Sequence, residues 1–156
     1  MPSVKLKKRK EITVAYIEYV GSYDKIPFDT IMKKLYGWAK DKKVRPGFKP
    51  LTIYPDDPAT TSAVNLRSWV GIPIYGNAPE DADIKTTVLC ESLIVRLRHA
   101  GPASEYSNSY KAIIEWTKAE GYEITGPPAE YYPKKPKVKN GQTIIYADIE
   151  FPVKKL

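Results

Sequence analysis

The 156-residue chain carries 25 Lys+Arg against 18 Asp+Glu, a formal net charge of +7, with 42% hydrophobic and 28% charged residues. Those are globular proportions at single-domain length, and no apolar run reaches the roughly 20 residues of a membrane span. A single cysteine, Cys90, excludes an intramolecular disulfide, and a single histidine, His99, excludes a Cys/His cluster of zinc spacing, so neither a metal nor a cofactor is expected.

The chain opens on a basic run, MPSVKLKKRK, that no uninterrupted apolar stretch or small-residue cleavage site follows. It does not read as a secretory signal, and a soluble, cytoplasmic protein is expected. The positive charge is lopsided: the first half holds twice as many cations as anions, whereas the second half is balanced. Two clusters dominate, Lys5, Lys7, Lys8, Arg9 and Lys10, then Lys40, Lys42, Lys43, Arg45 and Lys49. Such clusters meet anionic partners, or they are solvated lysines that block strand edges and suit a helix C-terminus. No nucleic-acid-binding signature accompanies them, so direct nucleic-acid binding is not expected.

Residues 14 to 21, VAYIEYVG, alternate and stop at a glycine, which predicts a strand. Phe28, Ile31, Met32, Leu35 and Trp38 then recur at i, i+3, i+4 and i+7 spacing, with Lys33, Lys34 and Lys40 off that stripe. This is an amphipathic helix lying on a sheet. A Pro/Gly-rich passage leads to a short strand, LTIYPDD around Tyr54, and a further strand ends in Ile72-Pro73-Ile74. The same order returns some eighty residues later: IVRLRHAG ending at Gly101, a helix bearing Trp116, AEYYPKK around Tyr132, and Phe151-Pro152-Val153. In this second helix Tyr106, Tyr110, Ile113, Ile114 and Ala119 are expected to line the core, with Ser104 as N-cap and Gly121 as C-terminal stop. Trp38 and Trp116 are expected to be structural. The chain therefore reads as one α+β domain, 1–156, made of two strand-helix-strand-strand repeats, about 4–74 and about 84–154, joined by a polar linker at 75–83.

Strand parity divides each sheet face. Ala15 and Ile17 correspond to Val95 and Leu97 and form the apolar side, leaving Tyr16 and Glu18 opposite, with Arg96 and Arg98. His99 shares the parity of Leu97 and reads as a packed or strand-end histidine rather than a base. In the short middle strands, Leu51 and Ile53 correspond to Ala129 and Tyr131 and are assigned to the helix side, which sends Thr52, Tyr54, Glu130 and Tyr132 to the reverse. In the last strands Val70 and Ile72 match Ile149 and Phe151, leaving Arg67, Trp69, Tyr146 and Asp148 on the reverse. The expected site is thus a helix-free face that gathers Tyr16, Trp69, Tyr132 and Tyr146 around Glu130, with Arg96 close by. Aromatics on an uncovered face suit a ligand groove. Glu130, within GPPAEYYP, is either its counter-charge or a solvated strand residue.

The motifs VAYIEYVGSYDKI, IYPDDP, GYEITGPPAEYYP and ADIEFPV, with the Trp-bearing helix and the second-half AGP, together resemble the GyrI-like small-molecule-binding domain, the effector domain of AraC-type and multidrug-responsive MerR-type activators. The resemblance spans about Val4 to Lys154. It implies a duplicated unit with a pseudo-twofold axis, a ligand cleft between the halves, and a buried acidic residue at the position of Glu130 that meets cationic, aromatic ligands. Without a DNA-binding domain beside it, the chain is expected to act as a stand-alone binding protein that stacks an aromatic ligand, cationic ones included, with Glu130 and Arg96 among the contacts. Family members that hydrolyse reactive electrophiles make Glu130 a catalytic candidate in an alternative, enzymatic reading. A further alternative is an inhibitor acting by protein contact through the basic first half, for example on a DNA topoisomerase. A haem-binding relative would need an axial ligand, which a single histidine makes remote.

Overall fold

The computed structural model describes residues 3–79 and 81–156. In chain order it contains β1 (Val4–Arg9), β2 (Ile12–Val20), α1 (Phe28–Asp41), β3 (Arg45–Pro46), β4 (Leu51–Ile53), β5 (Arg67–Tyr75) and β6 (Lys85–Leu89). There follow β7 (Ser92–Gly101), α2 (Tyr106–Ala119), β8 (Tyr122–Ile124), β9 (Ala129–Tyr131), β10 (Lys137–Lys139) and β11 (Gln142–Lys155). Among the described residues the fold is α+β, with antiparallel strand pairing and two α-helices. Among the described residues no helix is long and apolar enough to cross a membrane.

Contacts divide the chain into two compact units: an N-terminal unit, Glu11–Cys90, and a C-terminal unit holding the chain up to Lys10 together with Glu91–Leu156. In the N-terminal unit the strands run β4-β5-β2-β6, with β3 also on β5. The long pair is β2 with β5, whose register sets Tyr16 opposite Gly71 and Ala15 opposite Ile72. Helix α1 buries Ile31, Leu35, Trp38 and Ala39 against Ala15, Val70 and Ile72, as its 3.6-residue stripe requires. Burying one such leucine stabilises the unit by about 1.5–3 kcal/mol.

In the C-terminal unit the strands run β1-β7-β11-β9, with β8 and β10 also on β11. The turn between β10 and β11 is Asn140-Gly141, both at positive φ, the pairing that a two-residue hairpin demands. Helix α2 sets Ile113 over Val95, Leu97, Ile149 and Phe151, and Trp116 packs at the edge of that cluster. Two expectations for α2 fail. Ile114 and Ala119 are exposed, because the buried stripe runs through Tyr110, Ile113 and Thr117 instead. The N-cap is Glu105 rather than Ser104, since a 3-10 turn at Ala103–Glu105 leads directly into the helix. Gly121, at φ +80, follows the last turn as anticipated.

Candidate functional site

Glu130 begins from a strand only three residues long, bounded by Pro127, Pro128 and Pro133, in which no periodicity can be counted. Its register decides its environment. Glu130 pairs with Ile149, and directly paired residues in an antiparallel ladder point to the same face. Ile149 belongs to the cluster beneath α2, so Glu130 lies on the helix side of the sheet. The strand parity expected from the sequence is therefore inverted for β9: Ala129 and Tyr131, paired with Glu150 and Asp148, face away from the helix. The same inversion holds in the N-terminal unit. Thr52 pairs with Val70 of the α1 core, while Leu51 and Ile53 pair with Gly71 and Trp69 on the reverse.

On the helix side Glu130 is only 5% exposed, and α2 supplies its donors. Tyr110 donates its hydroxyl to Glu130 Oε2, and its ring meets Phe151 edge-on at 5.8 Å between centroids. Tyr106 lies one helical turn earlier, with its ring 6.4 Å from that of Tyr110, the neighbour relation of i and i+4. Both phenols are held well above their usual pKa, first by burial and then by the charge and hydrogen bonding of Glu130. Tyr132 adds to the shift on Tyr110, which sets that ring in the same group. The result is a buried carboxylate framed by phenols that remain neutral donors. Removing a carboxylate from water costs several kcal/mol, and charge-assisted hydrogen bonds of about 1.5–3 kcal/mol each offset it. Tyr106 and Tyr110 read from sequence only as core-lining residues. The signal for their role was that two buried phenols at i, i+4 need hydroxyl partners.

The other anticipated site residues lie elsewhere. Tyr16 and Trp69 meet each other in the N-terminal unit, stacked at 4.9 Å and 25°, and Trp69 Nε1 donates to Glu18 Oε1 at 2.9 Å. Within the C-terminal unit, Tyr146 and Arg96 lie on the face opposite Glu130. Tyr146 lies under the Lys134 ammonium at 4.1 Å, and Arg96 donates to Glu150 Oε1. Arg98 forms a fork on Asp148, at 2.7 and 3.0 Å. Neither arginine therefore neutralises Glu130. The helix-free face is not an open groove at these positions either, since Val14, Leu51, Ile53, Asp148 and Glu150 are all buried. Of the two basic clusters, Arg9 leaves the surface: its guanidinium is 4.0 Å from the buried Glu150, while Lys5, Lys7, Lys8 and Lys10 stay exposed. Lys40, Lys42, Lys43 and Arg45 are exposed as well.

With a buried acid beneath a tyrosine-bearing helix established, comparison with known proteins decides the family. A family model described as the GyrI-like small molecule binding domain matches residues 2–154. The chain belongs to the GyrI-like small-molecule-binding domain family. Among solved structures, the GyrI-like fold seen here is similar to the EcmrR C-terminal domain, with a TM-score of 0.82, 19% identity, and coverage of 100% of this chain and 99% of that one. Against the EcmrR chain in its DNA complex, coverage is 99% of this chain and 58% of that chain. A hydrolase from Listeria innocua matches at a TM-score of 0.70 and 13% identity, covering 97% of this chain and 91% of the other. SAV2435 bound to tetraphenylphosphonium matches at 0.58 and 12%, covering 97% and 94%. No curated protein sequence matches the chain.

Proposed function

We propose that this GyrI-like domain binds an aromatic, cationic small molecule, with Glu130 as its counter-charge and the tyrosines of α2 and the β9 segment as its walls. The observation that carries the reading is the buried carboxylate itself, held by the Tyr110 hydroxyl on the helix side of the sheet. A fold gains little by burying an acid beneath neutral phenols, whereas a ligand cation gains both the charge and the ring faces. The rings of Tyr106 and Tyr110 are the aromatic groups beside Glu130, and a cation over a desolvated ring contributes on the order of 2 kcal/mol. The structural neighbour that holds tetraphenylphosphonium supports this ligand chemistry. The domain's net positive charge repels cations at long range, so attraction is local to Glu130.

The test is a thermal-shift series with tetraphenylphosphonium and a neutral tetraphenylmethane isostere on wild type and Glu130→Gln. Wild type is expected to be stabilised by the cation alone, and the variant by neither. Equal stabilisation of the two proteins by the cation would refute the counter-charge.

A hydrolytic reading has one specific support, the phenol-to-carboxylate hydrogen bond between Tyr110 and Glu130, which pairs a neutral acid with a base. The similarity to a Listeria innocua hydrolase agrees with it. Here Glu130 would activate water against an electrophilic ligand while Tyr110 protonates the leaving group. Multiple turnovers of a strained-ring electrophile, abolished in Glu130→Gln, would establish it, and a stoichiometric complex without product would exclude it.

A further inference from the structure

We propose that Ser109 and His99 form a nucleophile and base pair at a second site in the C-terminal unit, one that hydrolyses short-chain carboxylic esters. His99 lies near the end of β7 on the helix side and is 3% exposed. Its Nε2 faces two backbone carbonyl oxygens, of Gly101 at 3.2 Å and Pro102 at 3.3 Å. Carbonyls only accept, so the ring proton resides on Nε2. Nδ1 is then a bare lone pair, and the Ser109 hydroxyl 2.8 Å away is the donor. This is the polarity that general-base activation of a serine requires.

The surroundings hold that polarity in place. Tyr106 stacks on the imidazole at 4.3 Å and 11°, which fixes the ring plane. The two carbonyls orient the ring as a carboxylate does in a triad, although they stabilise an imidazolium less, so turnover is expected to be slow. Ser109 is half-buried on the first turn of α2 and borders a surface cavity of about 310 Å³. Asn108 lines the same cavity, with Glu105, and its side-chain amide carries N–H donors for a developing oxyanion. The cavity's size and polar lining suit a small ester rather than a long acyl chain.

In the reaction, Ser109 Oγ bonds the acyl carbon as its proton passes to His99 Nδ1. The bond from that carbon to the alcohol oxygen breaks, and the alcohol leaves with the proton. Water then adds its oxygen to the acyl carbon while giving a proton to Nδ1. The Oγ–acyl bond breaks, Ser109 regains its proton, and a carboxylic acid is released.

The full chain is treated with a fluorophosphonate probe and, separately, with p-nitrophenyl acetate. Peptide mass spectrometry is expected to find the adduct on Ser109, formed on the order of a hundredfold faster than on Ser107, the exposed serine of the same helix. Ser109→Ala is expected to lose the adduct and to slow ester hydrolysis by a similar factor, whereas Ser107→Ala keeps both. His99→Gln is expected to lose the adduct with its circular dichroism unchanged. If that variant does not fold, the ratio of Ser109 to Ser107 labelling decides. Equal labelling of Ser109 and Ser107, or unchanged hydrolysis in Ser109→Ala, overturns the proposal.

Discussion

Glu130 sits directly across from Ile149 in the pairing of β9 with β11, so an acid shares the sheet face of a fully buried core isoleucine. Its compensation comes from α2, chiefly through the Tyr110 hydroxyl. Tyr110→Phe keeps the ring against Phe151 and removes only that donor. The expected loss is about 1.5–3 kcal/mol, the range for a hydrogen bond to a charged group. Repeating the substitution in Glu130→Gln should cost clearly less, because the charge it served is gone. Urea unfolding of the four proteins measures the coupling, and identical losses in both backgrounds would contradict it.

The phenols of Tyr106 and Tyr110 are raised by burial and by Glu130, and Tyr131 is raised by burial and by Glu150. Their folded pKa values lie above the unfolded value of about 10. The folded state therefore holds these protons more tightly. Their contribution to stability is fully present below pH 10 and is lost as pH rises above it, since only the unfolded chain then releases protons. An alkaline spectrophotometric titration should show exposed tyrosines ionising first, with these three following only as circular dichroism reports unfolding. Smooth ionisation of all 12 tyrosines near pH 10 in a folded protein would disprove the buried cage.

The helices and long strands are legible in the sequence because each has one clear apolar stripe: Leu35 and Trp38 in α1, Val95 and Leu97 in β7. The face of Glu130 is not legible, and the cause is physical. Leu51 and Ile53 on one side, and Val70 and Ile72 on the other, are all buried, so apolar character no longer tells the two faces apart. Alternation reports a face only when the opposite face is solvated. Thr52 and Glu130 each lie on the helix side of their own unit. An acid replaces a hydroxyl there, which no pattern of hydrophobicity could signal. Likewise, the destination of Arg96 depends on Glu150 being directly opposite it, a register fact.

Arg96 and Arg67 offer a contrast in what an ion pair contributes. Glu150 is 1% exposed and accepts from Arg96, while Asp56 and Arg67 pair near the surface. Arg96→Met leaves a buried carboxylate with the more distant Arg9, and a loss of about 3–5 kcal/mol is expected. Arg67→Met should cost far less, because that pair is solvent-screened. Adding Glu150→Met to Arg96→Met should recover much of the first loss, since an apolar pair of similar volume removes the buried charge. Denaturant midpoints for the four proteins check the order, and a double variant no better than Arg96→Met would refute it.

Two glycines separate a packing requirement from a helix preference. A Cβ on Gly71 would lie 2.6 Å from the Ala15 carbonyl oxygen and 2.7 Å from Val14 Cγ1, and backbone on the neighbouring strand cannot yield as a side-chain tip can. Because Gly71 is paired with Tyr16, a shift there also moves the ring that stacks on Trp69. Gly71→Ala is expected to destabilise by about 1–3 kcal/mol and to change tryptophan fluorescence in the folded state. Gly37 stands on an exposed side of α1, where an added methyl group would meet nothing within 4 Å, and its φ is ordinary. Gly37→Ala removes unfolded-state freedom without a clash and should stabilise by about 0.5–1 kcal/mol. At about 2–4 °C per kcal/mol for a chain of this size, the two Tm shifts are resolvable and of opposite sign. Shifts of the same sign would mean that the β2–β5 pairing tolerates a methyl group, and with it a different approach of Tyr16 to Trp69.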